Sequence, residues 1–340
     1  MDDEYVFVRR LDAEYFSGGA EIPPFNSEEG AGAGTRKCGR RFVVVIASAG
    51  SRRHICLVMQ MIVLAATIII NTSFSLLVRA AQRQHVNVIA VGFVNYLFAA
   101  ILYWGISAVT RPAMATPVLT LGIAAGVLYP AVFMLLLPAM HMRGVAITMA
   151  IVRLSVLIPL GGALWLWSEM PGATKMYGIV LALVALPMLS LDKGINDLKL
   201  SLRQAGVLVA LFLANGTCLL ITKAFQVTGL VEQRSLYLAI VFTGGALGCG
   251  VVYFLTRTAR LKRSELLWGI GIGTVNAAAN ILMLYALDAL LAAVVFPMLA
   301  AVGLGLATLF AAAAWREIPG KLGWAGIAVA VIAVALANSG

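Results

Sequence analysis

"WSEMPGATKMYG", residues 167–178, returns 148 residues later as "WREIPGKLGWAG", residues 315–326. Trp167, Glu169, Pro171 and Gly172 recur as Trp315, Glu317, Pro319 and Gly320 at identical spacing, and Gly178 recurs as Gly326. If the turn recurs because a whole unit recurs, other landmarks should keep a similar offset. They do: "NTSFSLLVRAAQ" (71–82) matches "NGTCLLITKAFQ" (215–226) in Asn, a hydroxyl residue, Leu, a base, Ala and Gln, at an offset of 144. "LGIAAG" (121–126) and "WGIGIG" (268–273) share a GxxxG at an offset of 147.

The repeated material is membrane-spanning. The 340 residues are 61% hydrophobic and 12% charged, and the mean hydropathy is +0.94. These values lie far from those of soluble domains. From about residue 55, apolar runs follow one another, each long enough to cross a hydrocarbon core of roughly 30 Å as a helix. The runs do not alternate as barrel strands do, so helices are the expected element. Ten spans are predicted, near 55–78, 87–109, 115–138, 144–167, 173–191, 203–224, 235–256, 266–287, 289–314 and 320–338. The expected fold is an all-α polytopic membrane protein of ten transmembrane helices in two five-helix repeats, 55–191 and 203–338. An odd number of spans per unit makes the second enter from the opposite face, so the repeats are inverted. Transporters are built this way, with a cavity between the halves.

Ten spans in two units, each closing on a W-x-E-x-P-G turn before a Gly-containing last helix, resemble the EamA-like branch of the drug/metabolite transporter superfamily. The resemblance covers residues 59–340 and bears on the fold more than on the substrate. It implies a multi-pass cell-membrane protein whose fourth and ninth helices line a central cavity with the first three of each unit, leaving the fifth and tenth outside. Cargo in such proteins includes amino acids, sugars, nucleotide sugars and other small metabolites, and related members flip lipid-linked sugars. Small cation exporters of the superfamily depend on a Glu in the first helix; "MIVLAATIIINTSFSLLV" has none, which disfavours proton-coupled export of lipophilic cations.

An ionisable group deep in a bilayer is costly and is a functional candidate by default. Arg153 is the one such group, about three residues from the middle of the fourth predicted span, and no Asp or Glu falls within any span. A guanidinium fork suits carboxylate or phosphate, so a cavity-facing Arg153 favours an anionic or zwitterionic solute. The alternatives are an Arg held by helix-break carbonyls near Pro159, or paired with Glu169 or Asp288. Uncharged polar candidates are Asn95, Tyr96, Tyr129, Tyr237, Asn276, Asn280 and Tyr285, with Asn71 and Asn215 at equivalent repeat positions. Asn276 and Asn280 share a helix face and concentrate polarity in the eighth span with Tyr285. Each can orient a ligand or join helices. The repeated turns read as structural, with Pro171 and Pro319 at first helical turns, Glu169 and Glu317 near helix N-termini, and Trp167 and Trp315 at the interface. Arg79 and Lys223, also repeat equivalents, read as headgroup-reaching cations at helix ends. The glycine motifs read as close helix contacts.

The remaining features exclude more than they assign. Of the net charge of +10, none comes from residues 1–54, where eight acids balance eight bases; the membrane part holds 17 Lys or Arg against 7 Asp or Glu. Sixteen of the 17 lie in loops or at span ends, a headgroup pattern rather than a nucleic-acid one. Loops after odd-numbered spans hold 12 bases and those after even-numbered spans hold four. That count places both termini outside, whereas the resemblance implies both in the cytoplasm. The four cysteines, Cys38, Cys56, Cys218 and Cys249, have no metal-like spacing. No catalytic or phosphate-cradling motif occurs, so neither enzyme chemistry nor a cofactor or metal is expected. Residues 1–54 read as a disordered tail, or as sequence upstream of a true start at Met59 or Met61. The expected partners are a small-molecule solute and the bilayer, as monomer or homodimer. A lipid-linked sugar flippase and a non-transporting scaffold or sensor are the rival readings.

Overall fold

The computed structural model describes residues 49–84, 86–191, 201–256, 261–315 and 320–338. The tail reading of residues 1–54 therefore falls largely outside the described residues, as do Glu317 and Pro319 of the second turn. The described residues form ten α-helices: α1 (Ala49–Arg83), α2 (Val88–Thr110), α3 (Thr116–Leu154), α4 (Leu157–Trp165), α5 (Ala173–Leu191), α6 (Leu202–Val227), α7 (Arg234–Leu255), α8 (Arg263–Ala289), α9 (Ala292–Trp315) and α10 (Lys321–Asn338). A single 3-10 turn, Val231–Gln233, precedes α7. Among the described residues seven helices are long and apolar enough to cross a membrane, and Ile151–Trp165, Ala173–Leu189 and Lys321–Ala333 are shorter apolar stretches.

The third and fourth predicted spans need correction. A loop is expected between 138 and 144, but α3 continues through it for 39 residues, about 58 Å at 1.5 Å per residue. Pro138 removes one hydrogen-bond donor, yet the Ala and Met residues around it favour helix strongly enough to carry the chain past it. The break falls instead at Ser155–Val156. Pro159 explains that position: its ring displaces the carbonyl four residues earlier, that of Ser155. The Ser155 carbonyl instead accepts the Ile158 N–H at 3.1 Å, a tighter turn. Arg153 thus lies in the last turn of α3 rather than near the middle of a fourth span.

Apolar side chains gain little by leaving lipid for a protein interior of similar polarity, so helix association rests on close packing. The repeated GxxxG supplies it. An added Cβ at Gly122 would lie 3.0 Å from Ile240, and one at Gly244 would lie 2.5 Å from the Gly126 carbonyl oxygen, so α3 meets α7 backbone to backbone. On α8, Gly269 faces Val94, and a Cβ added at Gly273 would lie 2.8 Å from the Asn95 carbonyl oxygen of α2. Gly244→Ala is expected to cost about 1–3 kcal/mol by forcing two backbones apart. The thermal midpoint in detergent should fall, while Gly161→Ala, which meets nothing within 4 Å, should not lower it.

The helix pairings form a connected set. α2 lies against α7 and α5 against α10; α3 packs on α6 and α7; α8 packs on α1 and α2; α1 touches α9, and α6 touches α4. Hydrogen bonds mark the two ends of the bundle. At one, Trp268 Nε1 donates to Gln84 Oε1 at 2.9 Å, and Glu265 accepts the N–H groups of Lys262 at 2.9 Å and Asn87 at 3.4 Å. Asn87 in turn caps α2. At the other, Gln233 Oε1 accepts the Ala115 N–H at 3.2 Å, Arg234 pairs with Asp288 and Glu169 pairs with Lys223.

Candidate functional site

The α3–α4 break is where buried polar groups gather. Ser155 Oγ donates to the Val152 carbonyl at 2.7 Å. Asn215 of α6 donates to Ser155 Oγ at 2.6 Å and to the same carbonyl at 3.2 Å. Gly216, the next residue, lets α6 come this close, since a Cβ there would sit 2.8 Å from the Ser155 carbonyl oxygen. Asn215 therefore replaces bonds that the broken helix lost. Its repeat equivalent, Asn71, donates only to the Thr67 carbonyl of its own helix, at 2.9 Å, so the two asparagines play different parts.

Arg153 emerges beside this break. Its Nη2 donates to Ser75 Oγ at 3.3 Å, and its Nε is buried without a hydrogen-bond partner. Among the described residues no carboxylate pairs with it: Glu169 is taken by Lys223 and Asp288 by Arg234. The two acids considered as partners for Arg153 are thus excluded. A guanidinium has five donors and no acceptor, so this one retains capacity for an anion.

Ser75 belongs to a polar stripe on α1 that sequence reasoning missed. Thr67, Asn71 and Ser75 recur every four residues and so share one helix face. Thr67 Oγ1 reaches the Leu282 carbonyl of α8 at 3.2 Å, and Ser75 bonds the Asn71 carbonyl at 3.2 Å. The stripe connects Arg153 to α8. Its signal was available as a four-residue spacing of small polar side chains within an apolar span.

A second polar group crosses α2, α3 and α8. Asn276 Nδ2 donates to Asn95 Oδ1 at 3.2 Å. Asn280 Nδ2 donates to the Asn276 carbonyl and to its Oδ1, both at 2.9 Å, and Tyr129 donates to Asn280 Oδ1 at 2.8 Å. Tyr96 stands edge-on to Tyr129 and packs on Phe242, with centroids 6.2 Å apart in each case. The structure thus brings together Asn95, Tyr96, Tyr129, Asn276 and Asn280. It leaves out the other two tyrosines. Tyr237 stacks on Phe225 at 4.0 Å, and Tyr285 is exposed and carries the Arg234 guanidinium 4.5 Å above its ring. Asn276→Ala should cost about 1–2 kcal/mol, more than Tyr129→Phe, because Asn276 is bonded on both sides. Thermal unfolding of the two variants compares them.

The repeated turn also departs from expectation. Pro171 and Gly172 lie just before α5 rather than in its first turn. The Glu169 carboxylate is directed to another helix: its Oε2 accepts the N–H groups of Ala292 at 2.8 Å and Ala293 at 3.4 Å, at the N-terminus of α9. The charge is well placed against that helix dipole. Lys223, read as a headgroup-reaching cation, is buried and paired with it, because its helix extends to Val227 and carries it below the end. Lys223 also donates to Gln226 Oε1 at 2.7 Å and lies 5.9 Å from the centre of the half-buried Trp167 ring.

A hollow of about 270 Å³, lined by Leu77, Leu267, Trp268, Gly271 and Ile272, lies toward the Asn87 end and shares no residue with these polar groups. Cys218 and Cys249 are both buried, with free thiols.

No family model and no curated protein matches this chain. Among solved structures, 27 chains match. One crystal structure aligns with a TM-score of 0.62 at 15% identity, over 82% of this chain and 96% of its own. At that identity the likeness concerns the fold alone.

Proposed function

We propose that the chain is a cell-membrane transporter of the EamA-like drug/metabolite type, moving a small anionic or zwitterionic solute by alternating access between two inverted five-helix units. The helix pairings support two units. Exchanging each helix for the one five places along the chain turns α3–α7 into α8–α2, α3–α6 into α8–α1 and α1–α9 into α6–α4, and all six contacts occur. The pairs α2–α7 and α5–α10 map onto themselves, as pairs on a twofold axis do. The glycine motifs follow the same exchange: Gly122 and Gly126 face α7, and Gly269 and Gly273 face α2.

The observation that carries the solute class is Arg153, a half-buried cation whose buried Nε is an unused donor and which has no carboxylate partner among the described residues. Desolvating a guanidinium for stability alone is unfavourable; a bound anion gives it the missing counter-charge. The Asn95–Asn276–Asn280–Tyr129 group and the aromatic rings beside it supply uncharged contacts for the rest of a small polar molecule.

The test is thermal stabilisation of the purified protein by amino acids, organic anions, sugar phosphates and lipophilic cations, run beside Arg153→Ala. An anionic or zwitterionic compound should raise the midpoint of the wild type and not of the variant. Stabilisation by cations alone, or an equal response of the variant, would remove the basis for this reading.

A further inference from the structure

The hollow between α1 and α8 lies apart from the polar groups around Arg153, and its walls differ in chemistry from its rim. Leu77, Leu267, Trp268, Gly271 and Ile272 line it with largely apolar surface. Gly271 leaves it open: the residue is exposed, and a Cβ added there would meet nothing within 4 Å. Trp268 is held as a fixed wall by its hydrogen bond to Gln84. Leu267 lies about 6 Å and Ile272 about 14 Å beyond Arg263 along α8, and Leu77 lies about 9 Å before Arg83 along α1. The hollow therefore runs from the helix ends into the depth that hydrocarbon occupies.

The rim is basic. Arg83 ends α1, Lys262 precedes α8 and Arg263 begins it, and all three are exposed. Arg263 and Leu267 are four residues apart and share a helix face, so a cation stands over the apolar wall. Glu265, the one carboxylate at this end among the described residues, is buried and turned to the N–H groups of Lys262 and Asn87. The rim keeps its positive excess. Neither half of this arrangement is repeated. At the offset of 144, Leu77 and Arg83 fall on Ile221 and Val227; at 147, Lys262, Arg263, Leu267 and Gly271 fall on Ala115, Thr116, Thr120 and Ala124. Features that build the two-unit scaffold, such as the GxxxG pairs, recur in both copies, so the scaffold does not account for bases above an apolar hollow.

We infer that the hollow is a site for one anionic phospholipid of the leaflet at the Asn87 end, with its phosphate at Arg83, Lys262 and Arg263 and part of one acyl chain between α1 and α8. A free phosphate has no use for the apolar wall, and a zwitterionic head gains little net attraction from the bases. Together, wall and rim select a lipid whose head is negative. The hollow, about 270 Å³, is smaller than one turn of a helix, about 400 Å³ at a diameter of 10 Å and a pitch of 5.4 Å, so it fits a flexible chain rather than a helix of a second copy. It also lies at the base-rich end, since the loops after odd-numbered spans hold 12 bases against four. The lipid is a bound partner and not the solute, and the inference stands whether or not Arg153 binds an anion.

Native mass spectrometry of the full chain, released from micelles carrying palmitoyl-oleoyl phosphatidylglycerol or phosphatidylcholine, counts the lipid retained and measures its affinity. The wild type should retain one phosphatidylglycerol about a hundredfold more tightly than phosphatidylcholine with the same chains, at about fivefold for each base. Lys262→Gln/Arg263→Gln should cut that preference about 25-fold. Gly271→Leu, which fills the hollow and keeps the bases, should weaken retention of either lipid about tenfold or more. Arg203→Gln, at the start of α6 on the same end but on neither helix of the hollow, should retain lipid as the wild type does. These positions are exposed, so thermal midpoints without added lipid should not change. Inorganic phosphate at the lipid concentration should displace nothing. Equal retention of the two lipids by the wild type, or wild-type retention by Gly271→Leu or the double variant, overturns the site. So does a loss in Arg203→Gln equal to that of the double variant, which makes the attraction a property of the whole end, or displacement by phosphate, which makes the rim an ion site.

Discussion

Lys223→Ala is expected to be among the most destabilising single substitutions, costing about 3–5 kcal/mol, because it leaves the Glu169 carboxylate buried without its counter-charge. The carboxylate would retain the Ala292 and Ala293 amides and the favourable end of the α9 dipole. Those contacts recover only part of the loss. Glu169→Ala should cost a comparable amount for the mirrored reason, stranding an ammonium that would keep Gln226 as a partner. The double variant should be milder than the sum of the two, since neither charge is then left alone. A double-mutant cycle on equilibrium unfolding in mixed micelles measures the difference. Additive costs would mean that the two side chains do not act on each other. Arg234 and Asp288 offer a comparison at the same end, where Asp288 is more open to solvent than Glu169; breaking that pair should cost less.

Arg153→Met should have opposite effects on stability and on binding. Without solute, the variant is expected to be at least as stable as the wild type. The substitution removes a half-buried guanidinium whose buried Nε has no partner and keeps an unbranched apolar side chain. With a stabilising anion at one hundred times its Kd, the wild type gains about 2.7 kcal/mol and the variant should gain nothing. Arg153→Lys separates charge from geometry: an ammonium keeps the positive charge but not the planar fork, so binding should weaken without vanishing. A variant that is less stable in the absence of solute and still responds to the anion would return Arg153 to the scaffold. That opposition of stability and function is what distinguishes a binding residue from a structural one.

Much of the architecture was legible in the chain. Continuous apolar runs dictate helices because backbone groups in lipid must bond within their own segment. The GxxxG pairs at 122–126 and 269–273 announced close helix contacts that the backbone approaches of Gly126 to Gly244 and Gly273 to Asn95 realise. Arg153 stood out as the one charge far from any predicted span end, and its Nε is a buried donor without a partner.

Other features depended on what lies across the bundle. The end of α3 could not be read from Pro138, because whether a proline ends a helix depends on what replaces the lost bond; at Ser155, Asn215 from a helix some 60 residues away does so. Glu169 carried the local signature of a cap for the helix that follows it, yet it caps α9, 123 residues on. Lys223 and Arg79 occupy equivalent places in their repeats, but only the packing of α6 beside the α4–α5 turn reveals that Lys223 is buried and bound to a carboxylate. Sequence period determines which segments cross the bilayer and which face of each is polar, since both are set by neighbours three and four residues apart. Which polar face meets which is decided by the tertiary structure, because in a medium without water each such group takes the nearest partner that packing brings to it.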